Sequence, residues 1–171
     1  MQIRFRLDGE LFVPELDLGS YPPINDIHIV GGEGSVQTEP FSLHMTQTAQ
    51  FTATISEAAI AGYVRAKLPD AIRSFELKLV PGEMVIHADV HMVFSLKVQV
   101  NCGIEVVDSQ KLFVRVKSMD GVPGPAQGIV LGQLEANNPV LDAATVYPGL
   151  KIQNLEILEG HLRVSGIAEP V

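Results

Sequence analysis

From Met84 to Val106 every second residue is apolar. The row is Met84, Ile86, Ala88, Val90, Met92, Phe94, Leu96, Val98, Val100, Cys102, Ile104 and Val106. The positions between are mostly polar, with His87, Asp89, His91, Ser95, Lys97, Gln99, Asn101 and Glu105. A helix would scatter such residues around its axis. A strand sends successive side chains to opposite faces, so this spacing predicts a sheet with one greasy side and one wet side. The stretch far exceeds a typical strand of about 5–6 residues. It is therefore either one long bent strand or two strands joined by a parity-preserving turn near His91 to Ser95. Gly103 offers a bend or bulge.

Turn chemistry tests that reading. Val80-Pro81-Gly82-Glu83 places Pro and Gly where a type II turn wants them. A two-residue loop there pairs Leu79 with Met84, Leu77 with Ile86 and Phe75 with Ala88. A slip of one residue would set apolar side chains against polar ones. A loop at Asp108-Ser109-Gln110 pairs Val106 with Leu112, Ile104 with Val114 and Cys102 with Val116. A loop at Glu159-Gly160 pairs Ile157 with Leu162 and Leu155 with Val164. At the start, a loop at Asp8-Gly9-Glu10 pairs Leu7 with Leu11 and Phe5 with Val13. Antiparallel hairpins follow from all four. Between Leu18 and Thr54 the pattern is shorter-ranged. Asp26 to Val30, the Gly31-Gly32-Glu33-Gly34 turn and Ser35 to Thr38 read as another hairpin, and Phe41 to Met45 and Phe51 to Ile55 as further strands.

Two segments read as helical. In Ser56 to Leu68, Ile60, Val64 and Leu68 share a face with Tyr63. Thr54 with Glu57, or Ser56 alone, supplies the N-cap, and Pro69 stops the helix. Gly128 to Asn137 carries Ile129, Val130, Leu131 and Leu134, with Asn138-Pro139 interrupting and Val140 to Ala144 adding a final turn. Strands do not alternate regularly with helices, which argues against a doubly wound parallel sheet. The expected fold is α+β: a strongly curved, mainly antiparallel sheet of hairpins with two helical segments on its concave face, in one domain over residues 1–171.

Composition narrows the function. The chain has 171 residues, and 46% hydrophobic against 19% charged residues excludes a disordered chain. One cysteine, Cys102, rules out an internal disulfide. Twelve basic against 20 acidic residues give a formal charge of −8 with no basic run, which excludes a nucleic-acid partner. The same balance disfavours electrostatic attachment to an anionic membrane, leaving a local patch as the route to peripheral membrane contact. Met1 to Leu7 lacks the apolar region of a secretory signal, and no run reaches the roughly 18 apolar residues of a span. The chain as written reads as cytoplasmic, or as one from which a leader has been removed. Its mean hydropathy of +0.22 must then be absorbed inside the fold.

Leu77 to Ile86 aligns without gaps on Leu155 to Val164, each preceded by a helical segment. The wider order is Ile55-Ser56-Glu57 opening a helix, a Gly-turn hairpin, the long alternating stretch and a second helix. Tyr147-Pro148-Gly149-Leu150-Lys151-Ile152 and Glu159-Gly160-His161-Leu162-Arg163-Val164-Ser165-Gly166 follow. Over roughly Thr54 to Ala168 this resembles the bacterial LmeA-like phospholipid-binding family. The resemblance implies a curved sheet around helices with an apolar groove for acyl chains. It also implies export or membrane tethering, and it brings no catalytic residues onto positions here.

Chemistry-bearing motifs are sparse. His87, Asp89 and His91 share the polar face of one strand, neighbours about 6–7 Å apart, and are the sharpest metal-ligand candidate. The solvent face of an amphipathic strand is the favoured reading of all three, because the surrounding alternation already predicts polar residues there. Gly31-Gly32-Glu33-Gly34 lacks the strand–helix context of a dinucleotide fingerprint. Cys102 falls on the apolar row and reads as core. Three functions remain, in this order. The first is a non-enzymatic, cofactor-free binder of phospholipid or another apolar molecule, lined by Ile60, Val64, Leu68, Val90, Met92, Phe94, Leu96, Ile129 and Leu134. The second is a structural module that forms a homo-oligomer through sheet edges. The third is a metal-dependent hydrolase using His87, Asp89 and His91.

Overall fold

A computed structural model describes residues 2–6, 10–38, 41–91 and 95–171. In chain order its first strands are β1 (Gln2–Arg6), β2 (Glu10–Leu16), β3 (Ile24–Val30), β4 (Glu33–Thr38), β5 (Phe41–Met45) and β6 (Ala49–Ser56), followed by helix α1 (Glu57–Arg65). Next come β7 (Ile72–Val80), β8 (Glu83–His91), β9 (Ser95–Val107) and β10 (Lys111–Asp120), then helix α2 (Gly124–Ala136). The short β11 (Leu141–Asp142), a 3-10 turn at Ala143–Thr145, β12 (Leu150–Leu158) and β13 (His161–Ala168) complete the order.

The strands form three antiparallel sheets. They run β1-β4-β5, β11-β10-β9-β8-β7 and β12-β13-β6-β3-β2. The fold is α+β, and the sheet of β7 to β11 is strongly curled, a half-barrel. Helix α1 packs on β6 and β7, and α2 on β10. No helix among the described residues is long and apolar enough to cross a membrane.

The long alternating row is two strands. His91 pairs with Ser95, Val90 with Leu96, Ala88 with Val98, Ile86 with Val100 and Met84 with Cys102. Both β8 and β9 thus put their apolar rows on the same face. Three residues separate His91 from Ser95, an odd number, so the alternation in the sequence runs on unbroken from one strand into the next. The irregularity near Gly103 sits on the partner strand: the β9–β10 register shifts between Val116 and Ser118, and a Cβ at Gly103 would lie 3.1 Å from the Lys117 side chain.

The hairpins at Pro81-Gly82, Asp108 to Gln110 and Glu159-Gly160 have the register that face matching predicts. Two other expected hairpins are corrected. Phe5 pairs with Gly34 and Val13 with Ile27, so β1 joins β4 and β2 joins β3 instead of pairing with each other. Leu7, Asp8 and Gly9 lie outside the described residues. Likewise β3 does not pair with β4. Gly31 and Gly32, with φ of 73° and 80°, carry the chain from one sheet to another. A Cβ at Gly32 would sit 3.0 Å from Gln47 O, so the chain passes close to the β5–β6 connection here.

Helix α1 is shorter than its periodicity. Ser56 is the cap, its hydroxyl accepting from Ala59 N–H at 3.1 Å. The Glu57 carboxylate turns away from the helix and accepts from Leu79 N–H at 2.8 Å, tying α1 to β7. Helix α2 starts earlier than expected, after Pro123, and none of its side chains is buried. The expected final turn at Val140 to Ala144 is instead β11 and the 3-10 turn, whose cap is Asp142 accepting from Ala144 N–H at 3.0 Å.

The aligned segments 77–86 and 155–164 do more than resemble each other. Gly82 N–H donates to Ile157 O at 3.0 Å, and Gly160 N–H donates to Leu79 O at 3.1 Å. Gly82 aligns with Gly160 and Leu79 with Ile157, so the two hairpins clasp reciprocally, as halves related by an approximate twofold do. The pairing continues outward: Ile86 faces Val100 as Val164 faces Ala53.

Candidate functional site

The space between the curled sheet and the two helices is hollow. A cavity of about 330 Å³ lies there. Its sheet wall is the inward row of β7 to β10, including Phe75, Ile86, Val90, Val98, Val100, Ile104 and Val114. Ile60 and Val64 of α1, Leu68 beyond it, and Ile129, Val130 and Leu134 of α2 face that wall. The strand residues follow the period of two visible in the chain, and Ile60 and Val64 the helical spacing of α1.

Of the residues expected to line a groove, Ile60, Val64, Leu68, Val90, Ile129 and Leu134 stand on this cavity. Leu96 is corrected. It pairs with Val90, one position in from the His91–Ser95 end of the β8–β9 ladder, and packs partly buried against the core, off the cavity wall. Met92 and Phe94 lie outside the described residues. Ile129 is 61% exposed despite lining the cavity, and no residue of α2 is buried. Glu135 is its one charged residue.

Polar lining is confined to Tyr63, Lys67, Gln133 and Asn137. The Lys67 ammonium donates to the Tyr63 hydroxyl and lies 4.1 Å from the centroid of that ring. No carboxylate among the described residues pairs with it. Tyr21 is close by. Burial, and after it the charge of Asp142, raises its phenol above the ordinary range, with Lys67 opposing.

A second cavity of about 210 Å³ lies beside the first, and sequence reasoning missed it. Every lining residue is apolar, with Ile24, Phe51, Ala53, Ile152 and Val164 among them. They come from β2 to β6 and from the segment after β10. Leu141 lines both cavities and is 4% exposed. A signal was available in the alternation of Phe51 and Ala53 on β6. It marks an inward row but not what faces it.

His87, Asp89 and His91 are not brought together as ligands. Asp89 accepts from Ser74 at 2.7 Å, and His91 Nδ1 lies 3.1 Å from the Ser95 hydroxyl. No group of three or more His, Cys, Asp or Glu side chains suited to a metal occurs among the described residues. His28, on β3, lies against Phe12 with ring centroids 4.7 Å apart and ring planes tilted by 53°.

Cys102 is fully buried, and burial pushes its thiol up from 9.0 to about 11. The native thiol is expected to stay unmodified by a disulfide reagent at about pH 8, the ordinary thiol range, and to react stoichiometrically once urea unfolds the chain. Fast modification of the native protein counts against the buried placement. The linkage has a definite sign. The folded value lies above the unfolded one, so the stabilisation is complete below pH 9.0 and is lost as pH rises through about 11.

Comparison with family models, curated proteins and solved structures finds no match to this chain.

Proposed function

We propose that the protein binds a lipid or comparable apolar molecule in the hollow between the β7–β11 sheet and helices α1 and α2, without catalysing a reaction on it. The observation that carries this reading is the 330 Å³ of unfilled space behind an almost wholly apolar wall. Ligand cavities run about 300–1,000 Å³ and are lined mainly by apolar side chains with a few polar groups. A cavity of this character does not hold water well, so its lining forgoes dispersion contacts that an alkyl guest restores. Tyr63, Lys67, Gln133 and Asn137 give a polar headgroup something to meet at the rim, while the chain lies inside. The LmeA-like resemblance supports phospholipid as the guest.

The test is transfer. Purified protein is incubated with vesicles of phosphatidylcholine and phosphatidylglycerol, separated from them, and weighed by native mass spectrometry. One lipid per chain is the expected adduct. Protein that leaves the vesicles bare, and that also carries no lipid from its expression host, overturns the reading.

A further inference from the structure

The two cavities have consecutive floors. On β6 the residues Phe51, Ala53 and Ile55 are buried in alternation, and on β13 so are Leu162 and Val164. Ile55 pairs directly with Leu162, and Ala53 with Val164. The pair Ile55–Leu162 lines the larger cavity and the pair Ala53–Val164 lines the smaller one. These are adjacent inward rungs of one ladder, about 7 Å apart along the strands. Leu141 is common to both and stands between them.

The polarity of the lining is one-sided. The larger cavity carries Lys67 at its rim, and the smaller carries no polar residue at all. A headgroup belongs at the first, and only hydrocarbon belongs in the second. We infer that the two cavities are sections of one acyl-chain channel, with the polar end of the guest at Lys67, its methyl end in the smaller cavity and Leu141 as the partition the chain passes. The inference rests on the apolar-ligand reading of the larger cavity.

Size turns this into a prediction of chain length. An apolar cavity of about 150 Å³ holds the six carbons of benzene, so the larger cavity holds roughly thirteen carbons and the smaller roughly eight more. Each methylene that finds an apolar place tightens binding roughly fourfold.

The experiment is a series of saturated straight-chain carboxylates, from about eight to about twenty carbons, titrated against the whole protein by calorimetry. In the wild type, affinity is expected to keep rising beyond about thirteen carbons. Ala53→Phe, which fills the smaller cavity, is expected to leave dodecanoate within about twofold and to weaken octadecanoate at least about tenfold. Leu141→Ala, which removes the partition, should bind octadecanoate at least as tightly as the wild type. A wild-type series that levels off near thirteen carbons overturns the channel while leaving the larger cavity as a binding site, and it decides the matter even if Ala53→Phe does not fold. An octadecanoate affinity unchanged in folded Ala53→Phe overturns it too. If no carboxylate of any length binds, the apolar-ligand reading falls along with the channel.

Discussion

Gly166→Ala is expected to cost more than about 4 kcal/mol, at the exceptional end for a single substitution. Gly166 lies on β13 opposite Ile152, at the point where the β12–β13 register shifts around Gln153. A Cβ at Gly166 would meet Lys151 O and, at 3.0 Å, Gln153 N. These are backbone atoms of a bulged strand and cannot swing aside as a side-chain end can. Relief requires β12 to move off β13, which breaks the ladder beneath the smaller cavity. Against a typical total stability of about 5–15 kcal/mol, such a cost leaves little margin. Urea denaturation followed by circular dichroism should show a midpoint shifted far down, or a chain that does not fold. A midpoint matching the wild type would mean that the bulge is not where it is placed. Gly82→Ala is the contrasting substitution. Nothing lies within 4 Å of its Cβ, and only its φ of +82° resists the change.

Leu79→Ala is the second large effect. Leu79 is fully buried and among the largest side chains with no exposure. Leucine-to-alanine changes in cores cost about 2–5 kcal/mol, more where the site cannot collapse. Here collapse is resisted from two directions. Leu79 N–H is held by Glu57, and Leu79 O by Gly160 N–H. The backbone on which Leu79 stands is therefore fixed to α1 and to the opposite hairpin, and the void stays open. The cost should fall in the upper half of that range, lowering the melting temperature by about 2–4 °C per kcal/mol. Val30→Ala, at a side chain 45% exposed, is the control and should stay within about 0.5 kcal/mol. Equal effects at the two positions would contradict the packing described.

What was legible in the sequence follows the range of the interactions. The hairpins at Gly82 and Gly160 are local: a turn residue and the alternation on either side define their register, so Leu79–Met84 and Ile157–Leu162 could be read directly. The same logic misled at Asp8 to Glu10 and at Gly31-Gly32. Face matching is satisfied there too, but β1 and β2 have better partners in β4 and β3. A local pattern cannot weigh a distant competitor. The larger cavity was partly legible because Ile60, Val64 and Val90 declare an inward face by periodicity alone. The smaller one was not, because Ile24, Phe51, Leu141 and Val164 share no segment. Periodicity tells which way a side chain points. Whether anything meets it there depends on separations between elements, and those are tertiary.

The place of β13 has a consequence for how the molecule is made. It is the last strand in the order, yet it sits inside its sheet, between β12 and β6. Until it inserts, β6 has a bare edge and both hollows lack Leu162 and Val164 beneath them. During synthesis the nascent polypeptide therefore offers an open, oily trough that nothing encoded earlier can seal. Release from the ribosome before β13 is made, or a lesion confined to the β12–β13 hairpin, should yield sticky, aggregation-prone material.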